Sequence, residues 1–280
     1  MLMELLSKAA TVAMLSFVVS SMLAMGAGLT VSQISEPLRN ARLVVLALLA
    51  NFIVMPLGAL ALAKVLSLDE PFGVGLLLLG CAAGAPFLPK LAELAKGNLA
   101  FAVGAMVLLM VVTVGYLPIV LPLLLPGVTV NAWGIARSLV LLMLLPLAVG
   151  LALKARYGDF AGRVKPTLDW ISNTSLILLV CLITAANIDK VLQVFGTRGI
   201  LAGLLFIALG LGTGWLLGGP NADTKRVMAL GTGQRNIAAA LVVASQGFSD
   251  PKVVVMVIVV AIVGLIILMP LARALASLKT

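Results

Sequence analysis

Apolar residues fill this chain in nine long runs, separated by short clusters of charge, glycine and proline. The runs fall at about 5–29, 41–66, 71–97, 98–125, 131–154, 166–188, 197–218, 222–247 and 252–274. Each is long enough to cross a hydrocarbon core of about 30 Å as an α-helix. Two runs are interrupted. The third carries Gly80, Gly84, Pro86 and Pro89, and the eighth carries Gly231 and Gly233 followed directly by Gln234, Arg235 and Asn236. Lone prolines at Pro56, Pro118 and Pro146 kink a helix rather than break it. The pattern predicts an all-α integral membrane protein of nine transmembrane helices, with helices three and eight broken near 84–90 and 231–235.

Being five runs apart, the two broken runs cross in opposite directions. Leu79-Gly80 is followed by Gly97-Asn98 at nearly the distance that separates Leu230-Gly231 from Gly247. Broken helices at matching places in two inverted halves point to a midplane site in a transporter. The expected organisation is therefore one membrane domain, 1–280, built from inverted repeats. A four-span repeat at 5–125 lacks its first span, a five-span repeat occupies 131–274, and the broken helices cross at mid-membrane.

Composition agrees with this reading. The chain is 62% hydrophobic and 10% charged, with a mean hydropathy of +1.22, whereas soluble domains carry about 25% charged residues. The net charge of +9 is explained by topology and not by nucleic-acid binding. With the N-terminus outside, Arg39, Arg42, Lys96, Lys154, Arg156, Arg163, Lys165, Lys225, Arg226, Arg273 and Lys279 lie on the cytoplasmic side. The smaller set Lys8, Lys64, Arg137, Lys190, Arg198 and Lys252 lies outside. This predicts a multi-pass protein of the cell (inner) membrane, N-terminus outside and C-terminus cytoplasmic. The first run has acidic Glu4 ahead of it and does not read as a cleaved leader. Cys81 and Cys181 lie within apolar runs, so neither a disulfide nor a metal site is expected, and the chain has no histidine. No nucleophile–base arrangement or phosphate loop is present, so the chain is not expected to be an enzyme.

The chemistry lies in the polar residues inside the runs. An arginine at mid-membrane costs about 2.5–3.5 kcal/mol on insertion scales and persists where it faces a cavity or a partner. Arg235 occupies such a position, although snorkelling to an interface is the alternative. Lys90 and Glu93 follow Pro89, where a new half-helix would present its N-terminus to an anion. The alternative there is a private Lys90–Glu93 pair. Asn51 lies mid-run, as a site residue or as an interhelical hydrogen bond; Asn173, Thr174 and Ser175 read as interfacial. The expected substrate-binding residues are Lys90, Arg235, Asn236, Gln234, Thr232 and Asn51. Lys90 with Glu93 is the expected route for proton coupling, releasing a proton from the empty site and regaining it with the anion.

Met25-Gly-Ala-Gly-Leu-Thr30, Asn51-Phe-Ile-Val-Met-Pro56, Gly80-Cys-Ala-Ala-Gly84 leading to Leu94-Ala-Lys-Gly-Asn98, and Gly231-Thr-Gly-Gln-Arg-Asn-Ile-Ala-Ala-Ala-Leu241 together resemble the bile acid:sodium symporter superfamily. The resemblance covers nearly the whole chain and implies a panel domain and a core domain, with two broken helices crossing in the core. It also implies two sodium sites. At the positions of the first stand Leu88, Pro89, Ala102 and Met106, which offer no side-chain oxygen. At those of the second stand Gly231, Arg235 and Asn51, of which only Asn51 suits a hard cation. Asn236 matches a family position that lines the substrate cavity.

The leading expectation is a secondary transporter or facilitator of a small organic anion. It would work by alternating access without sodium, with Lys90 and Arg235 replacing bound sodium, so bound sodium is not expected. The alternatives are a sodium-coupled symporter of organic anions or bile-acid-like solutes, and a receptor or scaffold that does not transport. The partners implied are a small organic anion and the lipid bilayer, and no nucleic acid.

Overall fold

The computed structural model describes residues 2–35, 39–125, 131–189, 194 and 198–277. Lys190 and Lys279, which entered the charge asymmetry, lie outside the described residues, as does the first position of the seventh run. In chain order the helices are α1 (Leu2–Gly28), α2 (Val31–Ser35), α3 (Ala41–Val65), α4 (Glu70–Cys81), α5 (Leu88–Leu94) and α6 (Leu99–Leu124). They continue with α7 (Ala132–Arg156), α8 (Gly158–Ala186), α9 (Gly199–Leu217), α10 (Ala222–Gly233), α11 (Ile237–Gly247) and α12 (Pro251–Ser277). The described residues are all-helical.

Among the described residues, eight helices are long and apolar enough to cross a membrane, counting α10 and α11 as one. The ninth expected span is different. α4 has 12 residues and rises only about 18 Å, so it cannot cross alone. α8 begins at Gly158, well before the expected 166, because its charged first turns are helical although too polar for the hydrocarbon.

Four helices start on an asparagine whose side chain caps the first turn. Asn40 accepts from Leu43 N, Asn98 from Phe101 N, Asn131 from Gly134 N and Asn236 from Ala239 N. The helices pack in two groups. α1 lies along α7 and α8, while α3 to α6 and α9 to α12 surround the interrupted segments. Within the second group α4 packs on α11 and α5 on α10. α9 rests on α10 through glycines: a Cβ at Gly214 would lie 2.1 Å from Met228 O. The interrupted segment Ala222–Gly247 is the most enclosed span, with 94% of its apolar window buried, against 11% for α8.

Candidate functional site

The first break follows Cys81. Ala82 turns extended, and Gly84 adopts φ +78, where a Cβ would lie 2.2 Å from Met110 N; only glycine fits. Pro89 then opens α5 at its first turn, where a missing N–H costs nothing. A break inside a membrane must satisfy its own backbone. Thr113 of α6 does part of this, accepting from Ala83 N at 2.9 Å and donating to Ala83 O at 3.1 Å.

The second break follows Gly233, with Gln234 extended and Asn236 capping α11. Asn236 joins the two breaks. Its backbone N–H donates to Ala82 O at 3.0 Å, and its Nδ2 donates to Ala83 O at 3.3 Å and Gly84 O at 3.1 Å. Every group of Asn236 that could bind a solute is thus engaged, and the residue is fully buried. In this structure Asn236 is a cap and a cross-link between the breaks, and it does not line the cavity described below.

Arg235 lies 4% exposed between the breaks. Nε donates to Leu79 O at 2.8 Å, and Nη1 donates to Asn51 Oδ1 at 2.6 Å and Thr232 O at 3.2 Å. Nη2 donates to Gly80 O at 2.8 Å and Asn51 O at 3.4 Å. A guanidinium has five N–H donors, and all five meet neutral protein oxygens. Leu79 and Gly80 belong to the last turn of α4, and Thr232 to the last turn of α10. The negative ends of two helix dipoles therefore converge on one cation.

Asn51 completes this cluster from a π-helical turn, Ala50–Val54, within α3. Its Nδ2 donates to Ala47 O at 3.0 Å and to Thr232 Oγ1 at 3.4 Å. Pro56 has no N–H for the carbonyl of Phe52 one turn earlier, and Tyr116 Oη donates to that carbonyl at 2.5 Å. Asn51 and Thr232 are 1% and 0% exposed and do not line the cavity described below. Their oxygens accept from Arg235.

The positions that the resemblance assigns to the first sodium site are apolar, and Pro89 and Met106 among them border a cavity. Leu88, Ala102 and Met106 are buried, and a Cβ on Gly231 would lie 2.9 Å from Leu88 Cδ2. Leucine fills the volume that a larger residue at 231 would need. A hard cation needs several oxygen ligands, and these residues supply no side-chain oxygen. They do not fit sodium. At the second position the oxygens exist but face the guanidinium.

A cavity of about 570 Å³ opens between the two helix groups, a size suited to a small organic molecule. Phe17 and Met25 of α1, Met106 of α6, Leu176 of α8 and Leu265 and Met269 of α12 make its walls mainly apolar. Of the expected site residues, Lys90, Gln234 and Arg235 reach it, while Asn51, Thr232 and Asn236 do not. Lys90 Nζ sits 2.7 Å from Glu93 Oε2, and their side chains are 55% and 61% exposed. This is the private i, i+3 pair that the sequence offered as the alternative at this position. Gln234 is 6% exposed, and its Oε1 has no hydrogen-bond partner among the described residues.

The sequence reading missed one wall. Lys165, Asp169, Ser172 and Asn173 of α8 line the cavity opposite the breaks. Lys165 and Asp169, four residues apart, are bonded at 2.5 Å. That spacing on one helix face was visible in the sequence, but Lys165 was counted as a cytoplasmic charge just before the sixth run and Asp169, inside it, was given no role.

A family model described as the sodium bile acid symporter family matches residues 14–194, more than half of the chain. The chain belongs to the sodium bile acid symporter family. It is 27% identical over 235 residues to the probable chloroplastic sodium/metabolite cotransporter BASS1 of Arabidopsis thaliana, covering 82% of this chain and 58% of that protein. It is 29% identical to the probable BASS2 cotransporter of Oryza sativa subsp. japonica, covering 84% of this chain and 57% of the relative. With the uncharacterized sodium-dependent transporter YocS of Bacillus subtilis (strain 168) it shares 26% identity over 81% of this chain and 72% of that protein. The chain thus spans somewhat over half the length of the chloroplastic relatives. Family and relatives are named as transporters, not enzymes.

Proposed function

We propose that this family member is a secondary transporter or facilitator of a small organic anion, working by alternating access without sodium, with Arg235 in place of a bound cation. One observation carries the reading: the guanidinium takes five neutral oxygens drawn from three helices and from the C-terminal ends of two of them. A bound ion shifts a conformational equilibrium only as far as its concentration allows. A tethered cation is always present, so the junction of the breaks no longer responds to sodium. Packing of Leu88 over Gly231 supports the same conclusion for the other ion position.

The anion-binding role expected jointly of Lys90 and Arg235 is divided. Arg235 organises the breaks, and Lys90 at the cavity meets the anion. Gln234 contributes a buried acceptor at the cavity edge, fitting a solute that also carries a hydroxyl or N–H. Inverted repeats at 5–125 and 131–274 would make the broken segments cross at mid-membrane. The contacts of α4 with α11 and of α5 with α10 support that crossing. The group α1, α7 and α8 would be the panel, the remaining helices the core, and the cavity between them the site exposed alternately to each side. The setting is the cell membrane, with the N-terminus outside.

The second reading is a sodium-coupled symporter, favoured by the names of the relatives. Uptake into proteoliposomes of 3-phenylpropionate, glutarate, naphthalene-2-sulfonate and sulfate, each in sodium or choline medium, separates the readings. Equal uptake of at least one anion in both media is expected. A saturable sodium dependence would establish the symporter, and binding without flux would establish a receptor.

A further inference from the structure

The wall of the cavity opposite the breaks carries its own cation. Lys165 lies on α8, in the helix group of α1 and α7, whereas Lys90 lies on α5 in the other group. Both reach the same cavity, and each is closed on a carboxylate of its own helix: Lys165 on Asp169, Lys90 on Glu93. Asp169 itself lines the cavity. The placement of Lys165 is built into α1. A Cβ on Gly28 would lie 2.6 Å from Lys165 Cε, so the lysine stem lies directly over Gly28 and a side chain there would push it aside. A second, independent feature of the cavity also points to a ligand. Gln234 Oε1, in a side chain 6% exposed, has no partner among the described residues.

We infer that Lys165 is the anion receptor on the α8 wall and that Asp169 is its internal counter-ion, displaced when a carboxylate or sulfonate of the solute arrives. This rests on the anion-transport reading and deepens it, assigning to the site a residue that joins its two helix groups. An exposed ion pair is weakly held, so the solute's anionic group can exchange with Asp169 at little cost. With the site empty, Lys165 falls back on Asp169 and no lone cation is left facing an apolar cavity. The solute class is then an organic anion whose charged head bridges Lys90 and Lys165 and whose apolar body lies against Met25, Met106 and Leu176.

A lysine that receives the anion and an aspartate that competes with it must respond in opposite directions, whereas the two members of a structural pair respond alike. The test is titration of the purified full-length chain with 3-phenylpropionate, glutarate, naphthalene-2-sulfonate and sulfate, read by isothermal calorimetry. Lys165→Met is expected to weaken the best of these anions about tenfold, the loss of one charge-assisted contact. Asp169→Asn is expected to tighten it about threefold by freeing the lysine. Gly28→Ala, whose Cβ meets only a flexible side chain, is expected to weaken it without lowering thermal stability. If the wild type binds an anion but the Lys165 and Asp169 variants shift affinity in the same direction, or either leaves it unchanged, Lys165 is not the receptor. If the wild type binds none of the four, the anion-transport reading fails and this inference with it.

Discussion

The molecule holds two kinds of cation around one cavity. Arg235 is 4% exposed, has all five donors on protein oxygens and faces two helix C-termini. Lys90 and Lys165 are 55% and 41% exposed, and each leans on one nearby carboxylate. The first is immobilised by its surroundings, since no donor is free and moving it would take a donor from five buried oxygens, of which Leu79 O keeps a bond from Ala82 N–H. The second kind gives up a weak partner readily. On the proposed reading, a charge held by many neutral dipoles acts as structure, and a charge held by one exchangeable acid acts as a receptor.

The largest expected effect breaks the immobilised side. Arg235→Ala leaves buried carbonyls unpaired at about 1–3 kcal/mol each, so the apparent Tm of the purified protein should collapse or the protein should fail to accumulate folded. Arg235→Lys keeps the charge but not the planar fork and should lose less. Next comes the junction of the breaks. Asn236→Ala removes a cap and the bonds to Ala83 and Gly84, a loss of about 2–3 kcal/mol by summing one cap and two hydrogen bonds. Asn98→Ala removes a cap and a long contact to Asp223 and should cost about 1 kcal/mol. The difference in Tm between these two asparagines reports the cross-link itself. Thr113→Val should cost about 1–3 kcal/mol by orphaning Ala83 N–H inside the protein. Smallest on stability are Lys90→Met and Lys165→Met, within about 0.5 kcal/mol for exposed positions, although both should weaken anion binding.

Much of this was legible in the sequence where the signal is local. Apolar runs, Gly84 with Pro86 and Pro89, and the Gly231-Thr-Gly233 pair determine where helices run and where they stop, because helix propensity and missing donors act over a few residues. What a polar side chain faces was not legible. Arg235 stands beside the cavity, yet its guanidinium points into carbonyls supplied by residues 79, 80 and 51, far away in the chain. Asn236 had a usable signal: an asparagine directly before an apolar run is a helix start, as Asn40, Asn98 and Asn131 also are. Lys165 was separated from Asp169, as a cytoplasmic charge before the sixth run, because a run of apolar residues marks the hydrocarbon and not the helix, which extends past it to Gly158.

The central claim is that Arg235 stands where a sodium ion would otherwise be held. It is tested most directly by titrating sodium chloride against choline chloride while following thermal unfolding of the wild type and Arg235→Gln side by side. The wild type should show no saturable difference between the salts. The variant should start at a lower Tm and recover part of the loss in sodium alone, as the vacated oxygens take a free ion and binding stabilises the folded state. A saturable rise in wild-type Tm with sodium, absent with choline, would contradict the account.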